Sequence, residues 1–481
     1  MGEESRPILP GRNKSGWTSQ LVLAATAAVI GSSFQFGYNT GVINAPGDII
    51  QQFINETYYY RHGSYVEAVQ LKFLWGLTVS IFAIGGMLGS AVSGTLAGRF
   101  GRKRAMLGNN ILIVIAITLM GCCRLIGSYE MLIVGRLVVG VACGIDTALA
   151  PLYLTEISPI QLRGVLGISN QLGIVIAIMI SQILGLEEVL GTVEYWPYLI
   201  VLCGAFTVYQ FLTLPFCPET PTYLLSQGLE DEAREALQFL RGSLDVEDEI
   251  AILVSEQNKV QSSARVGMIG IFRNPDLRKP MFIAIVLQLA QQLSGINAVL
   301  YYSTSLFESA NISPDESDFY TVGMGAANIV MTALSLLLIE RLGRRTLLLA
   351  GLGGMCICAA ILVVSLTVGD GTSWGGILAI VAVLSFVITF QSGPGSIPWF
   401  ITAEFFTQAA RTAAMSIAGV FNWGGNFAVG LAYPPLQKTI DGYTFIIFAT
   451  LIAIFWLFTY FRVPETKGRN IEEISNSFKS Q

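Results

Sequence analysis

Charge is scarce in this 481-residue sequence: Asp, Glu, Lys and Arg make up 13 % of it, with a single histidine, His62. That share is about half the soluble average. Basic residues are few and come in short clusters, which excludes a nucleic-acid surface. Seven cysteines are present, Cys122, Cys123, Cys143, Cys203, Cys217, Cys356 and Cys358, all within or at the edge of apolar stretches. Their placement argues against a disulfide framework, and neither they nor His62, set in a polar loop, offer metal-ligand spacing. No nucleophile, base and orienting group assemble in any loop, so enzymatic chemistry is the least supported reading, and no cofactor is expected. What the chain has in excess is apolar surface. Hydrophobic residues reach 53 %, more than a soluble core can hide. The net charge of −5 decides little, because in a membrane protein the position of charge matters more than its sum.

Windows of about twenty apolar residues recur along the chain, each long enough to cross a bilayer. They are read at 21–41, 73–95, 105–126, 130–152, 165–186 and 196–216, then at 281–303, 319–340, 346–368, 375–398, 411–433 and 443–462. The first is read as an uncleaved span, since no small-residue cleavage site ends it. The expected organisation is a polar segment 1–20, a six-span half 21–216, a linker 217–279, a second six-span half 280–463 and a tail 464–481. Within the linker Leu229, Ala233, Ala236, Leu237 and Leu240 fall on one helical face, which predicts short amphipathic helices packed under the spans. Arg99, Arg102, Lys103 and Arg104 follow span two, and Arg341, Arg344 and Arg345 follow span eight. Positive charge stays inside, so both termini are expected in the cytoplasm. The sequons Asn55-Glu56-Thr57 and Asn311-Ile312-Ser313 then both fall outside, where glycans are added.

Three marks of the first half return in the second, each about half the chain later. Arg99-Phe-Gly-Arg-Lys103 returns as Arg341-Leu-Gly-Arg-Arg345, Glu156 with Arg163 as Glu404 with Arg411, and Pro218-Glu-Thr220 as Pro464-Glu-Thr466. A duplicated six-helix unit explains the constant shift, and parallel halves of this kind define the major-facilitator architecture. The repeated Glu and Arg stand at cytoplasmic ends of spans, where ion pairs can hold the halves together and break as the cavity turns inward. The plainer alternative is topological: basic loops obey positive-inside, although that leaves the matched glutamates unexplained.

Polar side chains inside spans need a partner or a cavity. Gln288, Gln291 and Gln292 share one face of span seven, directly before Gly295 and Asn297. Further amides are Gln171 and Gln182 in span five, Asn328 in span eight, Gln391 in span ten, and Asn422 and Asn426 in span eleven. Span ten is broken by Gly393-Pro-Gly-Ser-Ile-Pro-Trp399, which sets an indole beside the break. An amide donates and accepts at once, as a hydroxyl does, so this set suits a neutral polyol. The competing role is glue between helices. Two intramembrane charges remain. Arg136 in span four calls for a carbonyl or polar neighbour; Asp146, ten residues on, costs roughly 2.5–3.5 kcal/mol to insert. It is read as a proton site, a partner for an arginine or a residue facing the aqueous cavity.

Gln291-Gln-Leu-Ser-Gly-Ile-Asn-Ala298, Gly393-Pro-Gly-Ser-Ile-Pro-Trp399, Pro464-Glu-Thr-Lys-Gly468 and Phe36-Gly-Tyr-Asn-Thr-Gly-Val-Ile-Asn-Ala-Pro46 together resemble the animal facilitative glucose transporters, class I branch, from about residue 20 to 478. The resemblance implies an all-α membrane protein of major-facilitator fold and passive uniport of glucose and similar hexoses by alternating access in the plasma membrane. No obligatory protein partner is implied. It places sugar contacts on Gln171, Gln291, Gln292, Asn297, Asn328, Trp399 and Asn426, with Ile174, Ile178 and Phe390 completing the pocket, and a glycan on Asn55. The tripeptide Gln292-Leu-Ser294 goes in that family with preferring glucose over fructose. Departures are Gln391 for the family's Glu, Thr222 for an arginine, and Asp146 for a hydroxyl residue. Proton-coupled relatives carry an Asp in span one where this chain has Asn39. Uniport is therefore the first expectation, a proton–sugar symporter the second, and a non-transporting sugar sensor the third.

Overall fold

The computed structural model describes residues 16–261, 266–369 and 372–467. Most of the N-terminal segment and of the tail falls outside them. Among the described residues every regular element is a helix. Eleven stretches are long and apolar enough to cross a membrane. The last of them, Ala410–Arg462, has 53 residues. As one helix it would measure about 80 Å, far beyond the ~30 Å of a hydrocarbon core. It is two spans, Gln408–Ile440 and Thr444–Arg462, joined by the single turn Asp441–Tyr443. The chain is thus a twelve-span membrane protein.

Spans one to six are Ser19–Gly41, Ala68–Phe100, Arg102–Ile126, Tyr129–Ile157, Gly164–Leu184 and Trp196–Phe216. Spans seven to ten are Pro275–Ser309, Glu316–Ile339, Arg344–Thr367 and Trp374–Phe405. Their outward faces carry Leu88, Ile111, Phe211, Ile377 and Leu457, exposed in the isolated chain and suited to lipid. Spans two and four run together along small residues: a methyl group on Gly140 or Gly144 would strike the carbonyls of Phe82 or Gly86. Without a hydrophobic drive between helices in lipid, such close approach supplies dispersion contact instead.

Among the described residues four spans are interrupted, span six only briefly, at Leu202 and Cys203. Span one carries a π-helical segment, Val29–Ser33. Span seven breaks at Gly295, whose φ of +91° favours glycine, and resumes as Ile296–Ser309. Span ten ends its first helix at Ser392 and restarts as Ile397–Phe405 after Pro394. Such breaks are tolerated at membrane depth only where protein or a cavity satisfies the freed backbone.

The repeat holds at atomic detail. Spans two and three meet at Gly101 (φ +86°), spans eight and nine at Gly343 (φ +88°). Beneath the first turn, the Glu219 carboxylate accepts from the amides of Arg102 (2.9 Å) and Lys103 (3.1 Å). Beneath the second, Glu465 accepts from those of Arg344 (2.9 Å) and Arg345 (3.1 Å). Each carboxylate caps the positive end of a helix, which is why Pro-Glu-Thr recurs with the arginine turn.

Between the halves, helix Glu230–Arg241 buries Ala233, Ala236, Leu237 and Leu240 as the periodicity predicts. Leu229 departs from the expectation: it precedes the helix and is 41 % exposed. Arg241 pairs with Glu249 (2.7 Å) and donates to the Ile157 carbonyl (2.9 Å), so the linker grips the end of span four. A second correction concerns the segment after span one. It is not a loop but the sixteen-residue helix Gly47–His62, with Asp48 in its first turn and Arg61 in its last. His62 closes that helix, exposed and stacked on Tyr58 with ring centroids 4.1 Å apart.

Candidate functional site

Span seven meets span eleven on both sides of its break: Gln288, Gln291 and Gln292 lie before Gly295 and Asn297 after it. Asn422 is the hub: its Nδ2 donates to Gln288 Oε1 (2.7 Å) and to Gln291 Oε1, and its Oδ1 accepts from Gln292 Nε2 (2.9 Å). Gln291 Nε2 donates to the carbonyls of Pro394 (2.8 Å) and Gly395 (2.6 Å), tying span seven to the break in span ten. Asn297 donates to Gln292 Oε1 and accepts from Asn426 Nδ2 (3.4 Å), and Asn426 Oδ1 accepts from the Tyr301 hydroxyl (2.9 Å). All of these side chains are buried. Asn328 and Gln391 form a separate pair, the Gln391 amide donating to Asn328 Oδ1, which leaves Gln391 Oε1 buried without a partner.

Phe390 is buried beside Gln391, while Trp399 is part-buried, with its ring edge toward Gly419 of span eleven. On span five, Ile178 is buried, and Gln171 and Ile174 are part-buried; the side chain of Gln171 is not bonded into the second-half amides. Gln182 does not join them either. It packs beside Gly325 of span eight, both of its polar atoms buried and unpartnered. Two residues enter that the sequence did not single out. Tyr301 carries the network toward the far end of the bundle. Trp423 is buried against Phe36 (5.1 Å) and Phe82 (5.4 Å), its indole N–H without a partner. The usable signal was adjacency: Tyr301 lies one turn beyond Asn297, and Trp423 follows Asn422.

A cavity of about 890 Å³ opens at the end of the bundle away from the arginine turns, bordered by Asn44, Asp48, Trp75, Tyr301, Tyr302 and Glu308. Its volume is that of a small-molecule site, and Tyr301 joins it to the amide network. Asn44, just after span one, donates to Ser303 of span seven there (2.7 Å), a bond between the two halves.

At the arginine turns, Arg102 pairs with Glu156 (2.7 Å) and Arg344 with Glu404 (3.1 Å). Both pairs lie inside one half, which corrects the expectation of a clasp across the halves. The reason is local: each arginine begins the third span of its half, which packs beside the fourth. Arg411 donates instead to the carbonyls of Ala403 (3.0 Å) and Phe406 (3.3 Å). Arg99 and Arg341 are exposed and form no ion pair among the described residues. The side chain of Arg163 falls outside them.

In the first half, Arg136 donates to the Asn39 carbonyl (2.8 Å) and lies over the Phe82 ring (4.6 Å). Asp146 is buried next to Ser32 and Asn109, facing neither an arginine nor the network. Asn55 stands within helix Gly47–His62, its Oδ1 accepting from the Val66 amide (2.9 Å).

Comparison with known proteins gives a consistent picture. A family model described as "Sugar (and other) transporter" matches residues 24–478. The solute carrier family 2 facilitated glucose transporter member 3 of Ovis aries is 47 % identical over 465 residues, 96 % of this chain and 94 % of that protein. Member 1 of Gallus gallus is 45 % identical over 466 residues, 97 % of this chain and 94 % of that one. Among solved structures, the proton:xylose symporter XylE bound to 6-bromo-6-deoxy-D-glucose superposes with a TM-score of 0.78 at 24 % identity, over 95 % of this chain and 99 % of that one. At that identity the likeness is one of fold.

Proposed function

The chain belongs to the sugar transporter family, and from that premise we propose that it is a facilitative uniporter of glucose and related neutral hexoses. The observation that carries the reading is the uncharged amide network of Gln288, Gln291, Gln292, Asn297, Asn422 and Asn426, reached from the cavity past Tyr301. Each amide bond in it can be exchanged for one to a sugar hydroxyl, because a hydroxyl donates and accepts at the same distances. Gln171, Ile174, Ile178, Asn328, Phe390, Gln391 and Trp399 complete the binding surface, the indole lying against the C–H face of the ring. A charged substrate would find no counter-ion among these groups. No bond of the sugar is made or broken, and no cofactor is needed.

Transport proceeds by alternating access. Sugar entering the cavity replaces amide–amide bonds with amide–hydroxyl bonds, and the hinges at Gly295 and at Gly393-Pro394 let the ends of spans seven and ten move without unfolding the rest. The Asn44–Ser303 bond ties the two halves beside the cavity. The arginine–glutamate pairs keep each half rigid while it rocks. Positive-inside places the arginine turns and both termini in the cytoplasm, and hence the cavity and Asn55, a glycosylation site, outside in the plasma membrane. The test is counterflow in proteoliposomes. Vesicles loaded with unlabelled D-glucose should transiently concentrate external labelled D-glucose but not L-glucose, and equal handling of the two would contradict the proposal.

A further inference from the structure

Asp146 has no part in the sugar network, yet it is an acid in the middle of span four. It is 4 % exposed and about 15 Å, by helical rise, from either charged residue that brackets it, Arg136 and Glu156. Its surroundings are specific. Ser32 reaches it from the π-helical segment of span one, and Asn109 from span three. Both partners are themselves held: Ser32 Oγ accepts from Gln210 (3.1 Å) and Asn109 donates to the Ala142 carbonyl (2.9 Å). Two acceptors remain buried without a donor, Asp146 Oδ1 and Asn109 Oδ1.

The groups around it are few: span five, also packed on span four, has none that is charged or titratable, and Tyr38 of span one and Tyr153 of span four are buried phenols. Cys143, one turn away on span four, is the titratable group whose field Asp146 shares. Span one has no charged residue, and span three carries Arg102, Lys103, Arg104 and Arg124 only at its ends. Span two, packed on span four, has Lys72 and Arg99 near its ends, and span six contributes Gln210, Cys203 and Tyr209. No cation offsets the carboxylate.

We propose that Asp146, between Ser32 and Asn109, is a proton-binding site whose occupancy sets the rate at which span one changes conformation. The inference rests on the transport reading above and adds a ligand to it. A bare carboxylate in hydrocarbon with only neutral partners is costly, whereas the neutral acid is not, and its O–H supplies a donor where acceptors go unmet. A metal ion is disfavoured by the donor set, which has one carboxylate and few free neutral oxygens. The link to transport runs through Ser32. The π segment there is a local irregularity of a kind frequent at functional sites; the same span carries Asn39, against Arg136, and leads directly into Asn44, the bond across the halves. Losing the proton leaves a charge that the packed arrangement cannot hold. Raising pH therefore depopulates that arrangement and slows exchange. The proton stays with the protein through the cycle, so a pH gradient drives no accumulation.

Equilibrium exchange of labelled D-glucose, with equal pH on both sides of the vesicle, tests this. Exchange by the unaltered protein should fall several-fold from acid to alkaline pH. Asp146→Asn should exchange at the acid-side rate throughout, and Asp146→Glu should keep a pH dependence. A flat profile in the unaltered protein, or an unchanged one in Asp146→Asn, would overturn the site. If Asp146→Asn does not fold, Asn109→Leu serves instead, and an unshifted profile there overturns it equally. Replacing Na⁺ with choline at fixed pH gives the third arm: a Na⁺ dependence lost in Asp146→Asn would make the ligand a metal ion and end the proton assignment. Failure of all variants and of the unaltered protein to exchange D-glucose would count against the transport reading rather than against Asp146.

Discussion

The two halves use the same residue types inside the membrane for different ends. In the first half the amides grip backbone carbonyls and hydroxyls, with Asn110 on Gln210 an amide pair (2.8 Å). Gln35 donates to the Cys203 carbonyl (2.8 Å), Asn39 to that of Gln35 (2.9 Å), Asn109 to that of Ala142 (2.9 Å), and Gln210 to that of Ala27 (3.2 Å). In the second half they mostly grip each other, through Asn422, Gln292, Asn297 and Asn426. A carbonyl fixed in a helix cannot follow a ligand, so its bond braces one helix on another. An amide partner can rotate away and leave its place to a hydroxyl. Helix glue and substrate recognition are open alternatives from composition alone; bonds to fixed carbonyls suit the first, and exchangeable amide–amide bonds suit the second. Gln291, bound to the Pro394 and Gly395 carbonyls, is the second half's own brace.

The comparison breaks most visibly at its two hubs. Asn422→Ala removes three amide bonds and strands the carbonyl of Gln288, while that of Gln291 keeps the Gln292 amide (3.1 Å). Three lost bonds at roughly 0.5–1.5 kcal/mol each correspond to about a 100-fold loss in kcat/KM at about 1.4 kcal/mol per decade, read from initial rates of D-glucose uptake. Gln210→Leu in the first half should do the reverse. It loses bonds to Ala27, Ser32 and Asn110, so the thermal midpoint in detergent falls by several degrees while KM for D-glucose stays within about twofold. A large KM change there would place Gln210 or the side chains bonded to it among the sugar contacts.

The ion pairs sharpen the comparison further. Arg102 and Glu156 are 14 % and 12 % exposed, whereas Arg344 and Glu404 are 22 % and 30 % exposed. Because a better-shielded pair is screened less, Arg102→Ala should slow exchange about tenfold and Arg344→Ala only about threefold. Equal losses would show that shielding is not what separates them. The smallest effect belongs to Gln391→Glu. The carboxylate cannot donate to Asn328, but the Asn328 amide can turn and donate to it, so uptake should change by less than about threefold. A complete loss would mean that the Gln391 amide protons contact the sugar themselves.

Most of the scaffold is legible in the sequence, because hydropathy and the repeat each act over many residues. The helix Gly47–His62 escaped because it is short and polar on average, its burial resting on a few residues such as Ile50 and Ile54. The site is legible in kind but not in connection. Spacing puts Gln288, Gln291 and Gln292 on one face, but only the packing of span seven on span eleven decides that they meet Asn422 rather than Gln171. The matched glutamates and arginines were visible, and their partners were not, since charge pattern does not say whether a pair closes within a half or between halves. Asp146 is the sharpest case: its neighbours come from a π-helical segment and a different span, which no local periodicity announces.

The most direct test of uniport through the second-half network is labelled D-glucose uptake into proteoliposomes, with and without an imposed pH gradient, beside an Asn297→Ala variant. The account predicts uptake that equilibrates without accumulating under either condition and that falls sharply in the variant. Accumulation driven by inward protons, or undiminished uptake by Asn297→Ala, would contradict it.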